Sequence, residues 1–167
     1  GIINFITTKD RPPGFHTDIE IKSGTFGKNA STFSQNLFLN YTLPAGLYFT
    51  AAVNNSNTKG LDATVDTVTN PSAYKNRDKD GFHKTVALGK IGFKDDTWDV
   101  YTSYAYTKEN IDFDKSAYRD DDNSTIDFKR NLLTYGASYK ITDEFNIKYI
   151  GGFSDMKRFV VDDSSVV

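Results

Sequence analysis

The chain is 167 residues long, the size of one domain or of part of a larger one. Its 20 Lys and Arg against 22 Asp and Glu leave a net charge of -2, and with no basic cluster nothing recommends nucleic acid as a partner. The absence of cysteine excludes a disulfide framework and a Cys-ligated metal site. No apolar run approaches the ~18 residues of a membrane helix, although a transmembrane barrel hides its apolar side chains at every second position and leaves a weak signal. Gly1 opens inside a strand-like run instead of a signal peptide, which reads as a segment of a longer precursor.

Gly1-Ile2-Ile3-Asn4-Phe5-Ile6-Thr7-Thr8-Lys9 reads as a buried, Ile-rich strand. Pro12-Pro13 ends it, because proline cannot join a ladder and fixes an extended linker. Residues 1–10 and 17–167 are then separate units joined by 11–16; an ordinary first strand and turn is the alternative. Thr17 to Ser23 is the next strand. Thr32 to Ser56 follows as a long hairpin. Phe33, Leu37, Leu39, Tyr41 and Leu43 share one face with Gln35, while Thr32, Ser34, Asn36, Asn40 and Thr42 share the other with Phe38. Pro44-Ala45-Gly46 turns the chain, and Leu47, Phe49, Ala51 and Val53 resume the apolar face. Arms of roughly ten residues exceed the usual five to six of soluble strands and match the length that crosses a bilayer.

Asn57 to His83 reads as a long polar loop and Lys84 to Phe93 as a strand on which Val86 and Leu88 share a face with two lysines. Lys94 to Thr97 is a short turn. Trp98, Val100, Tyr104 and Tyr106 then oppose Asp99, Tyr101, Ser103 and Thr107. A second polar loop covers Lys108 to Phe128. Leu133, Tyr135, Ala137 and Tyr139 begin the next apolar face, Thr142-Asp143-Glu144 turns the chain, and Phe145, Ile147, Tyr149 and Phe153 form the last one. Ser154 to Val167 reads as loop. About seven antiparallel strands with alternating short and long connections predict an all-β, partial transmembrane barrel, with the short turns on one rim and the long loops on the other. Open sheet edges require further strands to complete it.

The run from Gly1 to Lys9 resembles the end of the plug domain in TonB-dependent outer-membrane transporters, and the Pro-Pro segment resembles the passage into their barrel. The resemblance implies a plugged barrel of about twenty-two strands in the bacterial outer membrane. It also implies lipid around the wall, a periplasmic TonB-type energising partner and active uptake of a scarce small-molecule metal chelate. Within the family the likeness is closest to the cobalamin-transporting members, through Thr50-Ala51-Ala52-Val53, Lys59-Gly60-Leu61-Asp62-Ala63, Arg77-Asp78-Lys79-Asp80-Gly81-Phe82, Ile111-Asp112-Phe113-Asp114 and Ile126-Asp127-Phe128-Lys129. Members of that type bind calcium with loop aspartates, and Asp62, Asp78, Asp80, Asp114 and Asp127 match residue by residue. Iron-siderophore and haem receptors share the scaffold.

Calcium takes six to eight oxygens, and Asn76-Arg77-Asp78-Lys79-Asp80-Gly81 offers them at alternate positions with Gly at the sixth. The twelfth position is Ala87, so an EF-hand is rejected; a neighbouring loop would have to complete the shell. A solvated acidic loop is the plain alternative. His16 and His83 lack a second ligand at the usual spacing, Gly24-Thr25-Phe26-Gly27 lacks the Lys-Ser pair of a phosphate loop, and no nucleophile elbow is present. Nothing points to an enzyme. A non-transporting barrel, such as an adhesin or passive porin, and a soluble calcium-binding β-sandwich are the competing classes. Uptake that stops when the proton gradient collapses separates the first, and detergent-free solubility the second.

Overall fold

The computed structural model describes residues 12–27, 30–60, 80–113 and 124–161. They form one antiparallel sheet of seven strands: β1 (Gly14–Thr25), β2 (Ser31–Thr42), β3 (Leu47–Thr58), β4 (Phe82–Lys94), β5 (Trp98–Asp112), β6 (Thr125–Lys140) and β7 (Asn146–Val161). Spatial order equals sequence order, each strand pairing with the next, and β1 and β7 are the open edges. No helix occurs among the described residues. The expected strand ending the first unit, residues 1–10, lies outside the described residues, as do residues 11 and 162–167.

Several strands outrun their expected ends. β1 starts at Gly14 instead of Thr17, taking in the end of the expected linker. β5 and β6 extend to Asp112 and back to Thr125, into the stretch read as loop, and β7 continues to Val161 where Ser154 onward was expected to leave the sheet. The reason is common to all three. Beyond a certain height each face of these strands mixes polar and apolar residues, as on β7 where Asp155 and Lys157 share a face with Phe159 and Val161, so the alternation that marks a half-apolar strand disappears while the ladder continues.

The short turns are fixed by local chemistry. Pro44 supplies the restricted φ for the turn, Gly46 adopts φ +89°, and Gly46 N–H donates to Leu43 O at 3.0 Å while Leu43 N–H donates to Leu47 O at 2.8 Å. A side chain at Gly46 would collide with the Lys94 carbonyl, so glycine is required there for space as well as conformation. At the β4–β5 turn, Asp95 Oδ1 accepts from Trp98 N–H at 2.6 Å and Thr97 N–H at 2.8 Å. These donors hold the exposed carboxyl below its ordinary range. Thr142 Oγ1 accepts from Phe145 N–H at 3.0 Å in the β6–β7 turn.

The three short turns are staggered. The pair Leu43·Leu47 closes the first; the second closes beyond Phe93↔Val100 at Asp95·Trp98, and the third beyond Tyr139↔Ile147 at Ile141·Phe145. Each turn thus lies two residues further along the register than the one before. A drop of two residues at ~3.4 Å each, across two strands spaced ~4.8 Å, corresponds to a strand tilt of roughly 35° when the turns share a plane.

The sheet encloses no hydrophobic core. Ala30 is the one buried apolar residue among those described, while Ile19, Leu37, Val53, Tyr104, Leu133 and Phe153 are all exposed. Exposed apolar area on this scale calls for a cover of some kind.

Candidate functional site

Register sorts the side chains into two walls. Cross-strand partners face the same side, so the rows Thr17–Leu39–Ala51–Gly89–Tyr104–Leu133–Phe153 and Phe15–Tyr41–Phe49–Ile91–Thr102–Tyr135–Gly151 belong to one wall. From the short-turn rim upward this wall carries no charged residue until Lys108 on β5, Lys129 on β6 and Asp155 on β7. Four or five apolar-band positions per strand take up ~8–10 residues, which at ~3.4 Å and ~35° of tilt make a belt roughly 25 Å tall. The belt steps down from β2 to β7 with the turns, so its height stays constant. Trp98 and Tyr139 pack with centroids 4.4 Å apart at the short-turn rim, and Tyr104 Oη donates to Asn131 Oδ1 at 2.7 Å at the opposite margin. Ala51 and Gly89 leave a shallow apolar depression of about 530 Å³ between Leu39, Phe49, Ile91 and Tyr104.

The other wall is polar. Lys22 and Asn36 converge on Glu20 at 2.9 and 2.8 Å, Asn54 pairs with Asn36, and Lys84 meets Glu109 at 2.7 Å. One of its rows alternates aromatic and glycine: Tyr48–Gly92–Tyr101–Gly136. Each tyrosine ring lies across the next glycine, so that a Cβ at Gly136 would stand 2.5 Å from Tyr101 Cε1. Lys90 Nζ sits 4.3 Å from the Tyr101 centroid and 5.2 Å from that of Tyr48, a cation held between two ring faces. Phe38, Ala52, Leu88, Ala105 and Leu132 form one apolar row across this wall.

Of the five expected calcium ligands, Asp62, Asp78 and Asp114 lie outside the described residues. Asp80 precedes β4, its main chain against Gly60. Asp127 stands on β6 and accepts from Asn110 Nδ2. The β4–β5 register adds a carboxylate that the spacing argument passed over: a Cβ on Gly81 would stand 2.7 Å from Asp112 Oδ2. Asp112 therefore borders the Asp80-Gly81 segment, whereas Asp127 is two strands from it. Among the described residues no group of three or more potential ligands converges, so this part of the fold supplies pieces of a calcium shell and not a shell. His16 Nε2 lies 2.8 Å from Pro12 O on β1, and His83 lies on β4, so the two histidines do not meet.

Comparison with models of protein families, with curated proteins and with solved structures finds no match for this chain.

Proposed function

We propose that the sheet is a wall segment of an outer-membrane β-barrel, belonging to a TonB-dependent transporter that takes up a scarce metal chelate, with cobalamin the leading ligand. The observation that carries this reading is the charge-free belt, roughly 25 Å tall and aligned with the stagger of the turns. A tilt of roughly 35° falls within the range of membrane barrels. With the belt outward, the polar wall becomes the lumen side, and the lack of an internal core is the expected condition of a wall that lipid and lumen contents cover. The transport assignment itself rests on the likeness of Gly1 to Lys9 and of the acidic segments to that family, with siderophore or haem as ligands on the same scaffold.

The membrane component is tested with Trp98, the one tryptophan of the chain. In vesicles containing brominated lipids, its fluorescence is expected to fall most with bromines near the glycerol end of the acyl chains, since Trp98 lies at the belt rim. Spin labels at Phe33 and Leu37 should report a change from interface to hydrocarbon. Labels that report only water, or only packed protein, overturn the reading.

Calcium ordering of the long-rim segments belongs to the same proposal, with Asp62, Asp78, Asp80, Asp114 and Asp127 as ligands. Chelation is expected to weaken ligand binding by the intact protein, and calcium to restore it. An affinity indifferent to chelator removes calcium from the account.

A further inference from the structure

Beyond the belt, on the same wall, three lysines stand in one register row. Lys108 pairs across the ladder with Lys129, and Lys129 with Lys157. Directly opposed side chains have Cβ atoms about 5 Å apart, and like charges so placed repel. Among the described residues none of the three ammonium groups has a carboxylate within ion-pair distance. Three carboxylates share the wall nearby: Asp155, between Lys157 and the belt, Asp127, which accepts from Asn110, and Asp112, at the end of β5 beside Gly81. Three ammonium groups therefore stand side by side without an ion-pair partner among the described residues, the row climbing roughly 3 Å per strand from Lys108 to Lys157 because the strands tilt.

The height of the row is informative. Lys108 is two residues above Tyr106, the last belt residue of β5, which at ~3.4 Å per residue and ~35° of tilt places its Cα roughly 6 Å above the belt, and the same tilt raises Lys129 and Lys157 by roughly 3 and 6 Å more. The headgroup layer of a bilayer is roughly 5–8 Å thick, so Lys108 stands within it and Lys129 and Lys157 at and above its outer limit. Lysine stems can lie along the apolar wall and deliver their charges to that layer.

We propose that Lys108, Lys129 and Lys157 form a binding site for the phosphate of a membrane lipid headgroup; this rests on the reading of the belt as lipid-facing. A phosphomonoester carries nearly two negative charges and three acceptor oxygens, so one group can receive donors from neighbouring lysines and relieve their repulsion. Lysine serves phosphate as a point charge and needs no planar match, which suits a mobile headgroup. Free phosphate would lack the acyl chains that the belt below the row accommodates.

The test places the intact protein in nanodiscs of phosphatidylcholine with a minority of phosphatidic acid, and measures by native mass spectrometry which lipids stay bound. Wild type should retain phosphatidic acid in preference to phosphatidylcholine. The variant K108Q/K129Q/K157Q should lose that preference by at least about tenfold, from the contribution expected of each lysine near an anionic surface. K108R/K129R/K157R should keep it, which excludes a folding defect from handling of this row. Equal retention by wild type and the Gln variant overturns the site, and so does displacement of the lipid by inorganic phosphate alone at matched concentration. Trp98 quenching in the same discs separates the two levels. Quenching without a phosphatidic acid preference refutes this site and leaves the lipid-facing belt standing; no quenching refutes the belt, and the site with it.

Discussion

Gly136→Ala is expected to destabilise the sheet by about 1–3 kcal/mol, although glycine-to-alanine changes at compatible positions usually stabilise. The cause is specific. The new Cβ would meet three atoms of the Tyr101 ring at 2.5, 2.7 and 2.9 Å, and that ring is in turn the nearer face against which Lys90 rests. Displacing it breaks two contacts at once. Because every close atom belongs to one side chain, Tyr101→Ala combined with Gly136→Ala should recover most of the loss, giving a coupling energy on the order of 1 kcal/mol in a double-mutant cycle. Gly92 supplies the control. A Cβ there would meet both the Tyr48 ring and the Val100 carbonyl at 2.7 Å, so removing Tyr48 should not rescue Gly92→Ala. Urea unfolding of the intact protein in vesicles measures both cycles. Equal rescue at the two positions would show that the ring-over-glycine packing does not set the cost.

Leu39→Arg should cost roughly 2–4 kcal/mol, the penalty of a cationic side chain near the bilayer midplane of a lipid-facing strand. Leu39 lies inside the belt, in the row with Ala51, Gly89 and Tyr104. Gln35→Arg, above the belt on the same strand and face, should cost about 0–1 kcal/mol, as expected near the interface. Thr50→Arg, on the polar wall, is expected to have little effect on stability. The shape of this profile matters more than any one value. In lipid the cost depends on depth along the strand; under a second protein sheet it would follow local packing at each site. A Gln35 variant as damaging as the Leu39 variant would contradict a lipid cover.

Much of this architecture was legible in the sequence. Period-two alternation separates the walls from Phe33 to Val53 and from Trp98 to Tyr106, and Pro44-Ala45-Gly46 identifies the first tight turn. Strand ends beyond the belt were not legible, because Lys108 to Asp112 is mostly polar and Ser154 to Val161 mixes polar and apolar residues on each face, so neither alternates. Register across the long connections was equally hidden. A tight turn fixes β2 against β3, but nothing local fixes β3 against β4 or β5 against β6, where residues 59–81 and 113–124 intervene. The features that depend on those pairings could not be anticipated: Tyr101 over Gly136, Asp112 beside Gly81, and Lys108 opposite Lys129. The calcium set was drawn from spacing and likeness, and three of its five members fall outside the described residues.

Seven antiparallel strands in sequence order give β1 and β7 the same direction. The two margins therefore cannot zip together in the alternating sense that every internal seam uses. A second copy in the same orientation presents the same polarity and offers no remedy. On the proposed barrel reading, all-antiparallel closure would take an odd number of strands beyond these seven, those beside β7 and β1 running opposite to them.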